Sequence, residues 1–185
     1  MVLVTLCLWG VLPIFLKLAL NYYSAGTIVW FRFSFSFLIL FWFLFLFFLC
    51  CEILFSPPLI GVLGGVALAA NYFGMTQGVH LSGPSNAAII IQLAPVFLVI
   101  VGVVLFRETI RLRQLVGMII AMTGFYLFYL DRVRNAADNL NYSIANGWIV
   151  FAAVVWVFYM ICQKKLSVKY SAQTLNLLIY FVAMV

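Results

Sequence analysis

Few side chains in this sequence could bind a solute, and those that could are amides, aromatic rings and one arginine within apolar runs. The candidates for contact with a substrate are Trp9, Arg32, Asn71, Tyr72, Gln77 and Gln92. An amide or a charge in hydrocarbon is costly unless it faces a partner or a wet cavity. The three amides therefore either line a binding site or make hydrogen bonds between helices. Arg32 either extends to the membrane interface or binds an anionic group.

Residues that could support catalysis or bind a metal are not grouped in the sequence. The chain has a single histidine, His80, and four scattered cysteines without metal-binding spacing. A hydrolase or a transferase would need a nucleophile with a base, or a set of metal ligands. We therefore expect no enzymatic activity, no cofactor and no bound metal.

Composition places the chain in a broad class. Of its 185 residues, 68% are hydrophobic and 8% are charged, which is more apolar surface than a soluble domain of this size can bury. The net charge of +6 does not indicate nucleic acid, because the ten Lys and Arg residues lie in short clusters between apolar runs. We predict an all-α integral membrane protein, a multi-span helical bundle in contact with the lipid bilayer.

The apolar runs have lengths close to the roughly 20 residues that a helix needs to cross a bilayer. We predict helices at 2–20, 26–49, 58–79, 84–106, 112–130 and 147–163, with a further helix that begins near 172. Because each span reverses the side of the next loop, these helices divide the loops between two sides of the membrane.

Positive charge is unevenly divided between these two sides. The side shared with the N-terminus collects Arg107, Arg111, Arg113, Lys164, Lys165 and Lys169, and the other side has Lys17, Arg132 and Arg134. Cytoplasmic loops attract such an excess, so we expect a cytoplasmic N-terminus. The connection after the fourth helix then has a topological role, carried by Arg107, Glu108, Arg111 and Arg113.

Small residues and a proline are placed where helices would pack or bend. Two small-residue rows along the third helix contain Gly61, Gly65, Gly74 and Gly78. Helices approach closely along such rows, and the alternative is that the glycines thin the wall for a passing substrate. Pro95 lacks the amide that would bond to the carbonyl of Ile91, so we predict a kink or hinge beside Gln92.

An internal repeat relates the start of the chain to its last part, with an offset of 147 positions from Trp9 to Trp156. The matched residues of the first copy are Trp9, Ile14, Lys17, Tyr23, Ser24, Ala25 and Thr27, and those of the second are Trp156, Ile161, Lys164, Tyr170, Ser171, Ala172 and Thr174. The second copy starts five predicted helices after the first, an odd number, so it enters the membrane from the opposite side. Many secondary transporters have such inverted repeats.

Three segments resemble, in this order, the EamA-type domain of the drug/metabolite transporter superfamily: LWGVLPIFLKLAL, SAGTIVWFRF and the long block from ANYFGMTQGV to GFYLFYL. The most specific matches are Pro95, Glu108, Gln114, Gly117 and Gly124, and Arg32 matches an arginine near the start of the second helix. The resemblance implies a complete five-helix repeat at 1–130, an outer loop at 131–146 and an incomplete second, inverted repeat of about one and a half helices at 147–185.

The resemblance also implies a function. We expect a secondary transporter that moves a small polar metabolite by alternating access, as an exporter or exchanger of amino-acid-like or similar compounds, in a bacterial cytoplasmic (inner) membrane. Since the sequence stops at Val185, within the seventh predicted helix, we expect a truncated chain that pairs with a second copy as a homodimer or with a missing C-terminal half. The alternative is a non-transporting membrane scaffold or an inactive fragment of such a carrier.

Overall fold

The apolar runs of the sequence form helices, one of which is interrupted. The computed structural model describes the backbone of residues 2–46, 57–107, 109–136 and 140–185, and the side chains of these ranges except those of 2–9, 44, 46, 129, 131–136, 140 and 141. The helices are α1 (Val2–Ala19), α2 (Ala25–Leu46), α3 (Leu59–Ser82), α4 (Pro84–Ile90), α5 (Leu93–Phe106), α6 (Leu112–Ala136), α7 (Leu140–Leu166) and α8 (Ala172–Met184).

Several of these helices have the length and composition of membrane spans. Within the described ranges the segments long and apolar enough to cross a bilayer are Ala25–Phe43, Leu59–Ser82, Pro84–Phe106 and Tyr142–Leu166. Three shorter apolar stretches accompany them, Gly10–Ala19, Leu112–Phe128 and Ala172–Met184. The prediction of an all-α, multi-span membrane bundle is thereby confirmed.

Helix α3 lies at the centre of the bundle, packed along its length against α7 and also against α8, which in turn contacts α2. The glycines of α3 make this close packing possible. A Cβ atom added to Gly74 would lie 3.1 Å from both the Phe151 side chain and the Trp148 carbonyl oxygen of α7. One added to Gly61 would lie 2.6 Å from Leu178 of α8.

Three contacts give the direction in which each copy of the repeat crosses the bundle. Lys17 Nζ near the end of α1 donates a hydrogen bond of 2.7 Å to the carbonyl of His80 near the end of α3, so these helices end on the same side. Helix α7 runs against α3, because Gly78 packs on Ile149 near the start of α7 and Gly64 packs on Cys162 near its end. The first helices of the two copies, α1 and α7, therefore run in opposite directions.

The second helix of each copy begins with the same cap. Ser24 accepts a hydrogen bond of 3.3 Å from the backbone N–H of Thr27, and the two hydroxyl oxygens are 2.9 Å apart. At the offset of 147, Ser171 accepts a bond of 3.3 Å from Thr174 N–H, with hydroxyl oxygens 2.8 Å apart. A serine at this position satisfies an amide that has no partner within the helix. The sequence repeat therefore reflects a repeated local structure.

The connection between α6 and α7 differs from the predicted outer loop at 131–146. Helix α6 continues to Ala136 and α7 already begins at Leu140. Polar residues mark where an apolar span ends, but they do not end a helix, because the backbone amides keep their partners beyond the bilayer and no proline interrupts them. The change from apolar to polar composition was therefore a poor guide to these two helix boundaries.

Candidate functional site

The guanidinium of Arg32 lies over the ring of Tyr72, 4.4 Å from the ring centroid. Helix α2 begins at Ala25, and α3 ends at Ser82 on the same side of the bundle. At 1.5 Å per residue, Tyr72 lies about 15 Å below that end of α3, and Arg32 about 10 Å below the start of α2. The side chain of Arg32 therefore extends towards the middle of the bundle rather than towards the nearer membrane interface.

Aromatic rings from both copies of the repeat pack beside Tyr72, whose ring contacts this arginine. Phe33 of α2 packs edge-on against Tyr72, with centroids 5.2 Å apart, and also contacts Tyr180 of α8 at 6.1 Å. Tyr159 of α7 belongs to the same buried cluster and is 9% exposed. We refer to the polar members, Arg32, Tyr72, Tyr159 and Tyr180, as the arginine–tyrosine cluster.

The polar atoms of the arginine–tyrosine cluster have no hydrogen-bond partner among the residues that the structure describes. These unpaired atoms are also not fully buried. Among the described side chains, the only oxygen or nitrogen that is both buried and unpaired is Ser34 Oγ. Within the described part of the chain, the guanidinium and the three phenol hydroxyls are therefore not used in hydrogen bonds between helices.

Asn71, one residue before Tyr72, is used in packing. Its side-chain nitrogen donates a hydrogen bond of 2.7 Å to the Ala152 carbonyl of α7, and the residue is 7% exposed. Of the two uses that the sequence left open for this amide, the structure displays the bond between helices. Gln77, half-buried on the same helix, has no partner among the described residues.

A second polar group, at the end of the bundle where α3 ends, was not predicted as a unit. Asn86 of α4 donates bonds of 2.7 Å to Asn146 Oδ1 and 3.0 Å to Ser82 Oγ, and its own Oδ1 accepts a bond of 2.6 Å from the Tyr142 hydroxyl. Asn86 is 4% exposed. The network ties α4 to α7, and every polar atom of the Asn86 side chain has a partner in it.

The predicted helix 84–106 is interrupted at Ile91 and Gln92, between α4 and α5. Short-range bonds replace the helical ladder here, from Gln92 N–H to the Ile89 carbonyl and from Ala94 N–H to the Ile91 carbonyl. Pro95 falls in the first turn of α5, where a missing N–H leaves no helical bond unmade. The interruption lies at the predicted place, and its action as a hinge stays a prediction.

Gln92 and Pro95 line an open groove of about 570 Å³ between α4–α5 and α6. The other lining residues are apolar: Ala88, Ile89, Val96, Val99, Met118, Ala121, Gly124, Phe125 and Phe128. This groove is separate from the arginine–tyrosine cluster, so the sequence-predicted site residues do not form a single site.

Basic residues collect at the opposite end of the bundle. Lys164 Nζ lies 4.0 Å from the ring centroid of Phe106, which brings the end of α7 next to the end of α5. Arg107 closes α5 in the left-handed conformation, with φ of 52°. Arg111 precedes the first residue of α6, and its backbone N–H donates a bond of 2.9 Å to Oε1 of Gln114. The sequence predicted that the loops after α5 and after α7 lie on the same side of the membrane, and this arrangement agrees with that prediction.

Some predicted residues lie outside the described part of the chain. Glu108 and the side chain of Trp9 are in this group, so the structure assigns no contact to either of them. Arg113 is described and exposed at the start of α6. Within the described ranges, no three His, Cys, Asp or Glu residues lie close enough together to bind a metal ion.

Sequence reasoning missed Tyr159 and Tyr180. Both lie in apolar helices, where a tyrosine is usually read as a packing or interfacial residue. A signal for Tyr180 was present, since it occupies the position equivalent to Phe33 at the offset of 147. No comparable signal was present for Tyr159, whose equivalent is Leu12.

Comparison with known proteins gives a consistent result. A model of the EamA-like transporter family matches residues 1–130. The chain is 33% identical over 183 residues to an uncharacterized transporter of Haemophilus influenzae, covering 96% of this chain and 59% of that protein. It is 27% identical over 185 residues to the uncharacterized inner membrane transporter YhbE of Escherichia coli K12, covering 96% and 57%. The chain thus spans less than three fifths of the length of these relatives. No solved structure matches it significantly.

Proposed function

The chain belongs to the EamA-like transporter family, and on that premise we propose that it acts as a secondary carrier that moves a small polar metabolite across the bacterial inner membrane by alternating access. The inner membrane is the location named for its relative in Escherichia coli. The family and the relatives point to transport rather than to enzymatic chemistry.

The observation that carries this proposal is the opposite direction of the two copies of the repeat. Helices α1 and α7 run against each other, and the caps at Ser24 and Ser171 lie at opposite ends of the bundle. Carriers with inverted repeats alternate between two states by rocking one repeat against the other around a site at their interface. A structural scaffold has no need of such an inversion.

Two further features fit a moving part. The interruption at Ile91 and Gln92 divides one span into two rigid pieces, and broken helices often border the substrate route of transporters. The groove beside Gln92 and Pro95 gives α4–α5 room to change its angle relative to α6. Gln77 and Gln92 are then the amides free for a substrate, whereas Asn71 is held by α7.

For orientation, we propose a cytoplasmic N-terminus. The end of the bundle that carries Arg107, Arg111 and Lys164 holds more positive charge than the end with Lys17. Charge of this kind is retained on the cytoplasmic side. As part of the same proposal, the protein exports or exchanges amino-acid-like metabolites. It also pairs with a second copy or with further helices.

Transport by purified protein tests the proposal. Vesicles that contain the protein would be loaded with a defined mixture of amino acids, organic acids, sugars and phosphate esters, and mass spectrometry would follow which compounds leave or exchange. We expect at least one compound to move faster than in protein-free vesicles or in vesicles with heat-unfolded protein. If none does, under either direction of gradient, the protein is better described as a membrane scaffold.

A further inference from the structure

We propose that the arginine–tyrosine cluster binds the oxyanion of the transported metabolite, a carboxylate or a phosphate. The assignment rests on the proposed carrier function and names the substrate class of that carrier. The charge of Arg32, the donor chemistry of the cluster and its position in the bundle each support it.

The guanidinium of Arg32 lies over the ring of Tyr72 within the apolar bundle. Contact with the Tyr72 ring compensates only part of the cost of removing a guanidinium from water. An anion bound beside Arg32 would compensate more of that cost.

The donors of the cluster also select an anion. A guanidinium carries five N–H donors in one plane and no acceptor, and a phenol hydroxyl can donate one further hydrogen bond. Carboxylate and phosphate oxygens accept such charge-assisted bonds at short distance. A cationic ligand would be repelled by Arg32, which already occupies a face of the Tyr72 ring.

The position of the cluster follows from the repeat itself. Phe33 and Tyr180 are equivalent residues of the two copies, and their rings are in contact at 6.1 Å. Two inverted copies are related by an axis in the membrane plane, and a residue can touch its own equivalent only close to that axis. Substrates of carriers with inverted repeats bind near this axis, at the interface of the repeats. The cluster lies directly beside it.

The two copies contribute different groups. Arg32 and Tyr72 belong to the first repeat, and Tyr159 and Tyr180 to the second. The equivalent of Arg32 is Ile179, which is 1% exposed. As far as the structure describes the chain, the cluster therefore has a single charged side chain and takes one oxyanion, held by donors from both repeats, so that binding links the parts that must move together.

Arginine replacement with a matched control tests this assignment. Unfolding temperatures of the purified protein would be measured with acetate, lactate, succinate and phosphate, and with acetamide, lactamide and succinamide, all at equal ionic strength. We expect at least one oxyanion, and not its neutral counterpart, to raise the unfolding temperature of the unmodified protein saturably. Arg32→Gln should weaken this binding about tenfold or more. Arg113→Gln removes the same charge from an exposed position and should leave the binding unchanged.

A second variant covers the case in which Arg32→Gln does not fold. Tyr180→Phe removes one donor and keeps the ring, and it should weaken binding of the same anion by a factor of about three to ten. Tyr126→Phe alters an exposed tyrosine and should have no effect. The arms with phosphate and with the carboxylates tell the two oxyanions apart.

The assignment is overturned if no anion binds, if amides bind as well as acids, or if the control variants lose binding as strongly as Arg32→Gln and Tyr180→Phe. Its failure differs from that of the carrier proposal. If the protein transports a metabolite but binds no anion in a way that depends on Arg32, only the oxyanion site is ruled out. If an anion binds in that way but no metabolite is transported, the oxyanion site stands and the carrier proposal is ruled out.

Discussion

Gly65 of α3 lies so close to Val182 of α8 that a Cβ atom built on the glycine would stand 2.6 Å from the Cβ of the valine. The same atom would be 3.1 Å from the carbonyl oxygen of Ile179, which belongs to the backbone and cannot rotate away. The contact joins the third helix of the first repeat to the second helix of the other copy. Packing of the two repeats therefore depends on the absence of a side chain at this position.

Gly65→Ala should destabilise the protein by about 1–3 kcal/mol, because the added methyl group forces α3 and α8 apart. Gly117→Ala is the matched control, since nothing lies within 4 Å of its Cβ position in α6. There the alanine should stabilise the helix by about 0.5–1 kcal/mol. Thermal unfolding in detergent measures both changes, and equal effects of the two substitutions would contradict the close approach.

Asn71→Leu should lower stability by about 0.6 kcal/mol and at most about 1.7 kcal/mol, the average and the maximum for hydrogen bonds between membrane helices in double-mutant cycles. The substitution leaves the Ala152 carbonyl without its donor. Gln77→Leu changes an amide on the same helix that has no described partner and should act within about 0.5 kcal/mol. If Asn71→Leu abolished transport at unchanged unfolding temperature, Asn71 would be a substrate contact instead.

Asn86 and Asn146 should be energetically coupled, because a bond of 2.7 Å joins their side chains at a partly buried position. A double-mutant cycle with alanine at both sites should yield a coupling energy of about 0.5–3 kcal/mol. Gln163 lies 17 residues further along α7, about 25 Å away along the helix, so alanine at 86 and 163 should be additive. A coupling energy near zero for the first pair would contradict the network.

Pro95→Ala should slow transport without lowering stability. The alanine supplies an N–H that can bond to the Ile91 carbonyl, which allows α4 and α5 to join into one continuous helix. Pro84→Ala is the control, because Pro84 is the first residue of α4, where its missing N–H costs no helical bond. Exchange rates in vesicles decide the question: a hinge role predicts loss only at position 95.

Membrane orientation can be read from two exposed positions at opposite ends of the bundle. Tyr22 lies between α1 and α2 and is 84% exposed, and Val168 lies between α7 and α8 and is 86% exposed. In a background without the native cysteines, an impermeant thiol reagent applied to intact cells should label Tyr22→Cys and not Val168→Cys. The reverse pattern would place the N-terminus outside the cytoplasm.

Much of the fold was predictable from the sequence, because the length and the uniform apolarity of a span are local properties. The interruption at Ile91 and Gln92 was expected from Pro95, and the equal caps at Ser24 and Ser171 follow from a repeat visible in the chain. The boundaries around 131–146 were missed, since helix continuation beyond a bilayer depends on backbone bonds and not on hydropathy.

The site was predictable only in part. Arg32 and Tyr72 were named separately from their chemistry, but their contact was not foreseen, and Tyr159 and Tyr180 were not named at all. Asn71 was placed among possible substrate contacts, although its amide bonds to α7. A polar group within a span is easily recognised in a sequence, whereas its partner on another helix is not.

The sequence by itself determined that the chain is a bundle of membrane helices whose first and last parts share a residue pattern, because hydrophobic length and residue identity are both written along the chain. Only the tertiary structure decided which faces of those helices meet. In a bilayer the faces towards lipid and towards protein are equally apolar, so no periodic pattern marks the packed face. The contact between Phe33 and Tyr180, and the place of Arg32 beside it, became visible only when the two repeats were packed together.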